Sequence, residues 1–282
     1  MSEYITGEYI QHKCSIFLGD DNHFNFNPTI LPQTDKHVNV YNINSYFNNP
    51  KVIFCYSDLL HDFSLKIHYF LNDFILISHN SDENITNDKP YVSTILNCNK
   101  LIKWYSQNIS FYNEKLHFLP IGIANSQWPH GNLTLFNDIS MLQKQTANYK
   151  MDHIFFNFTI NTNYTQRQLC YIKLKDKLNW TPVLSQPEYL AYLSKCKFAI
   201  CPEGNGYDSH RLWECFYLEV VPIVLNNNFI QVLKTHNLPM LILDNWDDFD
   251  ISLLNYANFD FSQIYNVLSF IHTIEGLENV NG

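Results

Sequence analysis

CKFAICPEGNGYDSHRLWECFYLEVVPIVL, from Cys196 to Leu225, decides the fold of this chain. Lys197–Cys201 is a short apolar run with no room for a helix, so it reads as a strand. Pro202-Glu203-Gly204-Asn205-Gly206 must turn, because proline stops the strand and two glycines and an asparagine tolerate positive φ. Asp208 or Ser209 is placed to cap a helix starting at His210, and Leu212, Cys215 and Phe216 then share one face of it. Pro222 is expected to end that helix before a buried strand, Ile223–Leu225. The unit is β-turn-α-β with parallel strands, and such units bind ligands at the carboxyl end of the strand, beside the helix N-terminus.

Arginine usage sharpens this. Of 18 basic residues only Arg167 and Arg211 are arginine. Arg211 falls in the first turn of the expected helix, the wrong end of the macrodipole for a cation. It makes sense there if an anion lies between the helix N-terminus and the guanidinium fork, which grips phosphate with two hydrogen bonds. Glu214, one turn on, can accept hydrogen bonds from a ribose diol. The alternative is a plain i,i+3 Arg–Glu pair on a solvated helix.

EGNGYDSHRLWE followed by VVPIVL resembles the donor-binding half of exostosin-like glycosyltransferases, and more loosely other two-domain GT-B enzymes. The likeness covers about a third of the chain. It implies that the turn (Glu203, Gly204, Asn205, Gly206), Arg211 and Glu214 meet the diphosphate and ribose of a nucleotide sugar. The stretch Asn205-Gly206-Tyr207-Asp208 departs from the usual exostosin turn, which leaves the sugar open. The resemblance further implies a UDP-sugar donor, with UDP-xylose suggested by likeness to viral exostosin-type xylosyltransferases. It implies inversion by a single displacement, no cofactor and no metal, and a glycan acceptor.

Strands alternating with helices before and after this unit predict an α/β protein with parallel sheets. Val52–Tyr56, Phe74–Ser78 and Leu116–Leu119 read as strands of a first domain, with Ser15–Leu18 and Val38–Tyr41 as further candidates. His153–Phe158, Thr181–Leu184 and Met240–Leu243 read as strands of a second. The expected GT-B architecture is two Rossmann-like domains facing a cleft, over 1–149 (acceptor side) and 150–258 (donor side). Residues 259–282 are expected to form a helix crossing back to the first domain, with Ile264, Val267, Leu268 and Ile271 on its apolar face.

Further candidates lie at strand ends. The loop after His153–Phe158 carries Asn161 and Arg167, a second early-helix arginine for the diphosphate or sugar; a surface arginine is the alternative. Ser185 and Tyr189 lie where the resemblance puts the base of the nucleotide. A hydroxyl attacking an anomeric carbon needs a proton acceptor; Asp82 is the first candidate, His79 the second and Asp58 the third, while a capping or Asx-turn role competes for Asp82. Trp128 and His130 are candidates for stacking and hydrogen bonding an acceptor sugar. The run Asp247-Asp248-Phe249-Asp250 suggests a metal motif only superficially, since carboxylates at a helix start suit the dipole.

Composition bounds the function. The 282 residues are 46% hydrophobic and 16% aromatic, enough for real cores. A net charge of −9 argues against a nucleic-acid or anionic-membrane surface. Seven scattered cysteines without a CxxC suggest reduced thiols rather than a zinc or redox site. No apolar leader or membrane-length run occurs, so a cytoplasmic protein is expected. Abundant Asn and Lys with two Arg suggest an AT-biased genome, such as that of a large DNA virus, whose product would work in host cytoplasm. The rival reading is a catalytically silent nucleotide- or glycan-binding protein of the same fold. A sugar-nucleotide epimerase is disfavoured because no Gly-rich dinucleotide fingerprint follows the early strands.

Overall fold

The computed structural model of the protein describes residues 4–26, 36–44, 51–145, 149–264 and 267. These gather into two compact units that part between Trp128 and Pro129.

In the first unit the strands are β1 (Ile16–Gly19), β2 (His37–Asn39), β3 (Val52–Tyr56), β4 (Phe74–His79), β5 (Leu101–Ser106) and β6 (Leu116–Phe118). They form one parallel sheet in the order β2-β1-β3-β4-β5-β6. β3 and β4 are buried along their whole length, which is why they read as unbroken apolar runs rather than alternating ones. The polar atoms they carry inward are matched: Trp104 Nε1 donates to Ser78 Oγ at 2.8 Å, and Ser78 Oγ donates to Ser106 Oγ at 2.7 Å. Helices α1 (Gly7–His12), α2 (Asp21–Phe26), α3 (Leu60–Lys66) and α4 (Pro90–Leu96) belong to this unit. From β1 the chain runs outward to β2 and returns to β3 on the other side of β1. The carboxyl ends of β1 and β3 therefore flank the point where strand order reverses, the place where open parallel sheets receive ligands.

The second unit holds α5 (Leu133–Gln145), β7 (Met151–Phe155), α6 (Tyr164–Leu174), α7 (Gln186–Leu193), β8 (Cys196–Ile200), α8 (His210–Tyr217), β9 (Val221–Leu225), α9 (Asn228–Lys234) and β10 (Leu241–Leu243). Its parallel sheet has the order β10-β9-β8-β7. The core packs Phe156, Phe198, Ile223 and Trp246 against Cys170 and Leu174 of α6. Lys150, just before β7, donates from Nζ to the carbonyls of Ser194 and Leu218, both at 2.7 Å, closing the C-terminal ends of α7 and α8. Burial pushes its pKa down to about 8, against a smaller opposing pull from Glu219. All seven cysteines are free thiols.

Several local expectations are corrected. Thr181–Leu184 is not a strand: Thr181 N bonds Phe156 O at 2.8 Å, and Pro182 next to it lacks the donor needed to continue a ladder. Pro222 does not end α8 but lies inside β9, paired with Ala199. The helix stops earlier, because Glu219 takes a left-handed φ of 51° and Val220 N returns to Cys215 O at 2.8 Å. α5 gathers with the second sheet through its packing on α7, so the units divide at Trp128/Pro129, where the sequence suggests 149/150. Ile264 and Val267 are buried. Leu268, Ile271 and most of the expected 259–282 helix lie outside the described residues. Among the described residues no helix is long and apolar enough to cross a membrane.

Candidate functional site

The turn after β8 is built from the side chains of its neighbours. Cys201 N bonds Ile223 O at 2.9 Å, one step beyond the strand, and then the chain leaves the sheet. Two carbonyls of the turn are held from the start of α6 and its cap: Arg167 Nε donates to Glu203 O at 2.9 Å, and Asn163 Nδ2 to Gly204 O at 2.8 Å. Asn163 also N-caps α6. Arg167 Nη1 reaches Thr159 O at 2.9 Å, so one guanidinium ties the loop after β7 to the turn after β8. The positive φ expected in this turn does not occur, since Gly122 is the glycine with that conformation among the described residues. Carbonyls held by Arg167 and Asn163 make left-handed residues unnecessary there. Ser209 is the N-cap residue of α8 but its side chain makes no capping bond; buried Asp208 instead accepts from Trp213 Nε1 at 2.8 Å.

Arg211 sits in the first turn of α8 with its guanidinium against two rings that meet edge to face, 4.8 Å from the Phe155 centroid and 4.7 Å from that of Tyr189. Nη1 donates to Asn157 O at 2.9 Å, and Nε lies 3.8 Å from Glu214 Oε2. Nε is buried and has no hydrogen-bond partner. Glu214 is buried, and its Oε2 accepts from the Tyr189 hydroxyl. Burial works against the Arg211 charge, yet Tyr189 and Glu214 outweigh it and hold the group protonated. Arg167 shifts the other way, lowered first by burial and then by the like charge of Arg211. Both arginines of the chain are thus held at the carboxyl ends of β7 and β8, close enough to repel. That arrangement suits a multiply charged anion, which would relieve the repulsion and give the guanidinium donors a partner.

A cavity of about 340 Å³ opens beside the turn. Glu203, Tyr207, Ser209, Asn226 and Asn227 line it, over an apolar floor that includes Trp246. Burial raises the Glu203 carboxyl, against hydrogen bonds from Asn163 and Asn227 and the charge of Arg167. The remaining sequence candidates of this unit, Asn161 and Ser185 for the donor and His130 for the acceptor, are more peripheral. Asn161 is exposed in the 3₁₀ turn Ile160–Asn163. Ser185 is exposed and forms a capping box with Glu188, bonding its Oε2 at 2.6 Å. His130 is exposed, its carbonyl accepting from Gln186 Nε2 at 2.6 Å and its ring 6.0 Å from that of His210.

In the first unit, His79 is buried at 1% exposure, with Nδ1 2.9 Å from Asn80 Oδ1 and Nε2 3.0 Å from Pro120 O. Asn80, at φ 60°, extends this network to Gln11 and Asn125. Gly7 packs against it so closely that a Cβ would lie 1.7 Å from Asn80 Oδ1. Asp82 is exposed beyond β4. Asp58 follows β3 and is half exposed, with Oδ2 3.1 Å from His23 Nε2. Trp128 is 42% exposed at the end of the unit, its backbone N held by Asn125 O at 3.0 Å. Asp247 pairs with Lys173 at 2.6 Å, and Asp248 closes a capping box with Asn245. Among the described residues no group of three His, Cys, Asp or Glu is placed to hold a metal ion.

Sequence reasoning missed Phe155, Asn157 and Asn163. Phe155 is the last residue of β7, where a side chain overhangs the strand end, and Asn163 stands one residue before a helix, where asparagine caps; both signals were available. It also missed His23 and Asp20, which lie in an asparagine-rich stretch with no periodicity to place them.

No protein-family model matches the chain. It is 30% identical over 81 residues to an Arabidopsis thaliana protein described as a probable glycosyltransferase. The match covers 29% of this chain and 16% of that relative's length. The likeness is thus to a small part of a protein described as a probable glycosyltransferase, and the chain that carries it is α/β with two parallel sheets.

Proposed function

We propose that this protein is a glycosyltransferase that moves a sugar from a nucleotide sugar, a UDP-linked one, to a glycan hydroxyl. The observation that carries this is the convergence of both arginines on the carboxyl ends of β7 and β8, with the buried Nε of Arg211 lacking a partner. The partial likeness to a probable glycosyltransferase supports the same reading. We assign Arg211, Arg167 and the turn Glu203–Gly206 to the diphosphate. Glu214 steadies Arg211 through Oε2, and its Oε1 meets a ribose hydroxyl. Asn161, Ser185 and Tyr189 border the nucleoside.

The two units are read as the halves of a GT-B enzyme, donor side second and acceptor side first, with Trp128 and His130 contacting the acceptor. As the sugar moves, the bond from its anomeric carbon to the diphosphate breaks, and negative charge builds on the leaving oxygen. Two fixed guanidinium groups stabilise that charge without reorganising, so no divalent metal is required. Inversion follows from a single displacement. Asp82, His79 and Asp58 are the candidates for taking the acceptor's proton. The hydrogen bonds of His79 favour a structural role for it.

Calorimetric titration tests the reading. UDP is expected to bind, with other nucleoside diphosphates weaker. If no nucleotide binds at millimolar concentration, the donor site is wrongly assigned. Tight UDP binding without transfer or hydrolysis of any nucleotide sugar would mark a catalytically silent binder.

A further inference from the structure

The cavity beside the turn after β8 has the size of a small-molecule site, about 340 Å³, and lies wholly within the second unit. Its walls come from the exits of β8 and β9 and from early residues of α6, α8 and α9. Of the described residues that line it, Glu203 is the one that carries a charge. The two asparagine side chains in the wall are committed elsewhere. Asn227 Nδ2 donates to Glu203 Oε2 at 3.3 Å, while its Oδ1 caps α9 through Ile230 N at 2.8 Å. Asn226 Nδ2 donates to Asp244 Oδ1 at 2.8 Å, and its Oδ1 accepts from Gln231 Nε2 at 2.5 Å. What the wall keeps for a ligand is acceptor capacity. The Glu203 carboxylate can take about four hydrogen bonds, and the Ser209 hydroxyl is not spent on capping α8.

Burial works against the Glu203 charge, and hydrogen bonds from Asn163 and Asn227 and the charge of Arg167 work for it. Arg167 itself is not among the lining groups, since its Nε and Nη1 hold the carbonyls of Glu203 and Thr159. Such a wall sorts ligands by charge. Sugar hydroxyls donate to a carboxylate in strong, charge-assisted bonds, and the C–H faces of a sugar ring suit an apolar floor that includes Ile230 and Trp246. A carboxylated sugar would carry a second negative charge out of water beside Glu203, with no cation in the wall to receive it. The sugar of a donor hangs from its diphosphate, and the turn assigned above to the diphosphate forms one side of this cavity.

We propose that the cavity takes the sugar of the donor and that Glu203 makes it a site for neutral sugars, rejecting uronic acids. The inference rests on the glycosyltransferase reading and adds to it the class of sugar carried. It draws on residues of the second unit alone.

Calorimetry with UDP, UDP-glucose and UDP-glucuronate tests it. The two sugars differ in one group, a hydroxymethyl against a carboxylate, so their affinity ratio reads charge at nearly constant shape. The wild type should bind UDP-glucuronate about tenfold to hundredfold more weakly than UDP-glucose, the effect of like charges about 6–10 Å apart at an effective dielectric of about 20. Glu203→Gln keeps the shape and removes the charge, and should narrow that ratio about tenfold or more. Gln166→Lys lies outside the turn and adds a cation to the wall. It should narrow the ratio too, and it carries the test if Glu203→Gln does not fold. Equal wild-type affinities for the two sugars, or a ratio that the folded variants leave unmoved, overturns the proposal, while UDP binding keeps the donor reading standing. Failure of the wild type to bind UDP overturns the glycosyltransferase reading and this assignment with it.

Discussion

Replacing Arg211 by lysine separates what the guanidinium does for the fold from what it does for a ligand. Lysine keeps the charge and loses the planar fork. In the folded protein the guanidinium packs against the rings of Phe155 and Tyr189, at 4.8 and 4.7 Å, and Nη1 holds Asn157 O at 2.9 Å. A desolvated cation–π contact contributes up to about 2 kcal/mol. An ammonium is a point charge without the planar face, and it can keep one such contact but not both. With the Asn157 bond weakened as well, Arg211→Lys should lose about 1–3 kcal/mol of stability, read as a lower urea midpoint at unchanged slope. A bidentate charged contact to the diphosphate is worth about 1.5–3 kcal/mol on its own account. UDP affinity should therefore fall about tenfold to hundredfold by calorimetry, under conditions where the variant is fully folded. Tyr189→Phe is the control: it keeps the ring, removes the hydroxyl that Glu214 accepts, and should cost less on both measures. If Arg211→Lys is destabilised but binds UDP as the wild type does, Arg211 is a structural clamp and the diphosphate assignment fails.

Three other outcomes are expected. Lys150 has a pKa of about 8 when folded and near 10.5 when unfolded, so the unfolded chain holds its proton more tightly. Stability should then rise with pH from about 8 toward 10.5 and be flat below, by up to about 3 kcal/mol over the full gap; urea midpoints for wild type and Lys150→Met should show that slope in the wild type and lack it in the variant. Gly7→Ala forces a Cβ to within 1.7 Å of Asn80 Oδ1, and overpacking of this kind costs about 1–3 kcal/mol, so its thermal midpoint should drop by several degrees. Transfer from a UDP-sugar should survive EDTA, and a loss that manganese restores would bring Asp247–Asp250 back as a metal site.

The parallel α/β architecture is legible in the sequence because strands such as β3 and β4 are covered on both faces and cannot hide their apolar runs. Arg167 and Arg211 stand out in the sequence because arginine is so scarce in this chain. Details that depend on a distant partner are not. Thr181–Leu184 has the composition of a strand, and what stops it is a single pairing to Phe156 followed by proline. The glycines after β8 suggest left-handed backbone, yet Arg167 and Asn163, about forty residues earlier, hold that turn through its carbonyls. His23 could not be ranked from sequence, because Asp58, on the other side of its imidazole from the local partner Asp20, meets it only once β1 and β3 are side by side.

The scarcity of arginine has a practical consequence for the bench. A dicarbonyl reagent that modifies guanidinium groups has only two targets in 282 residues, and both lie at the same pair of strand ends. Labelling stoichiometry read by mass therefore becomes a report on one place in the molecule. Arg167, tied to two backbone carbonyls, and Arg211, packed against two rings, should label at different rates, so the protein carries its own two-channel footprint of whatever occupies that place.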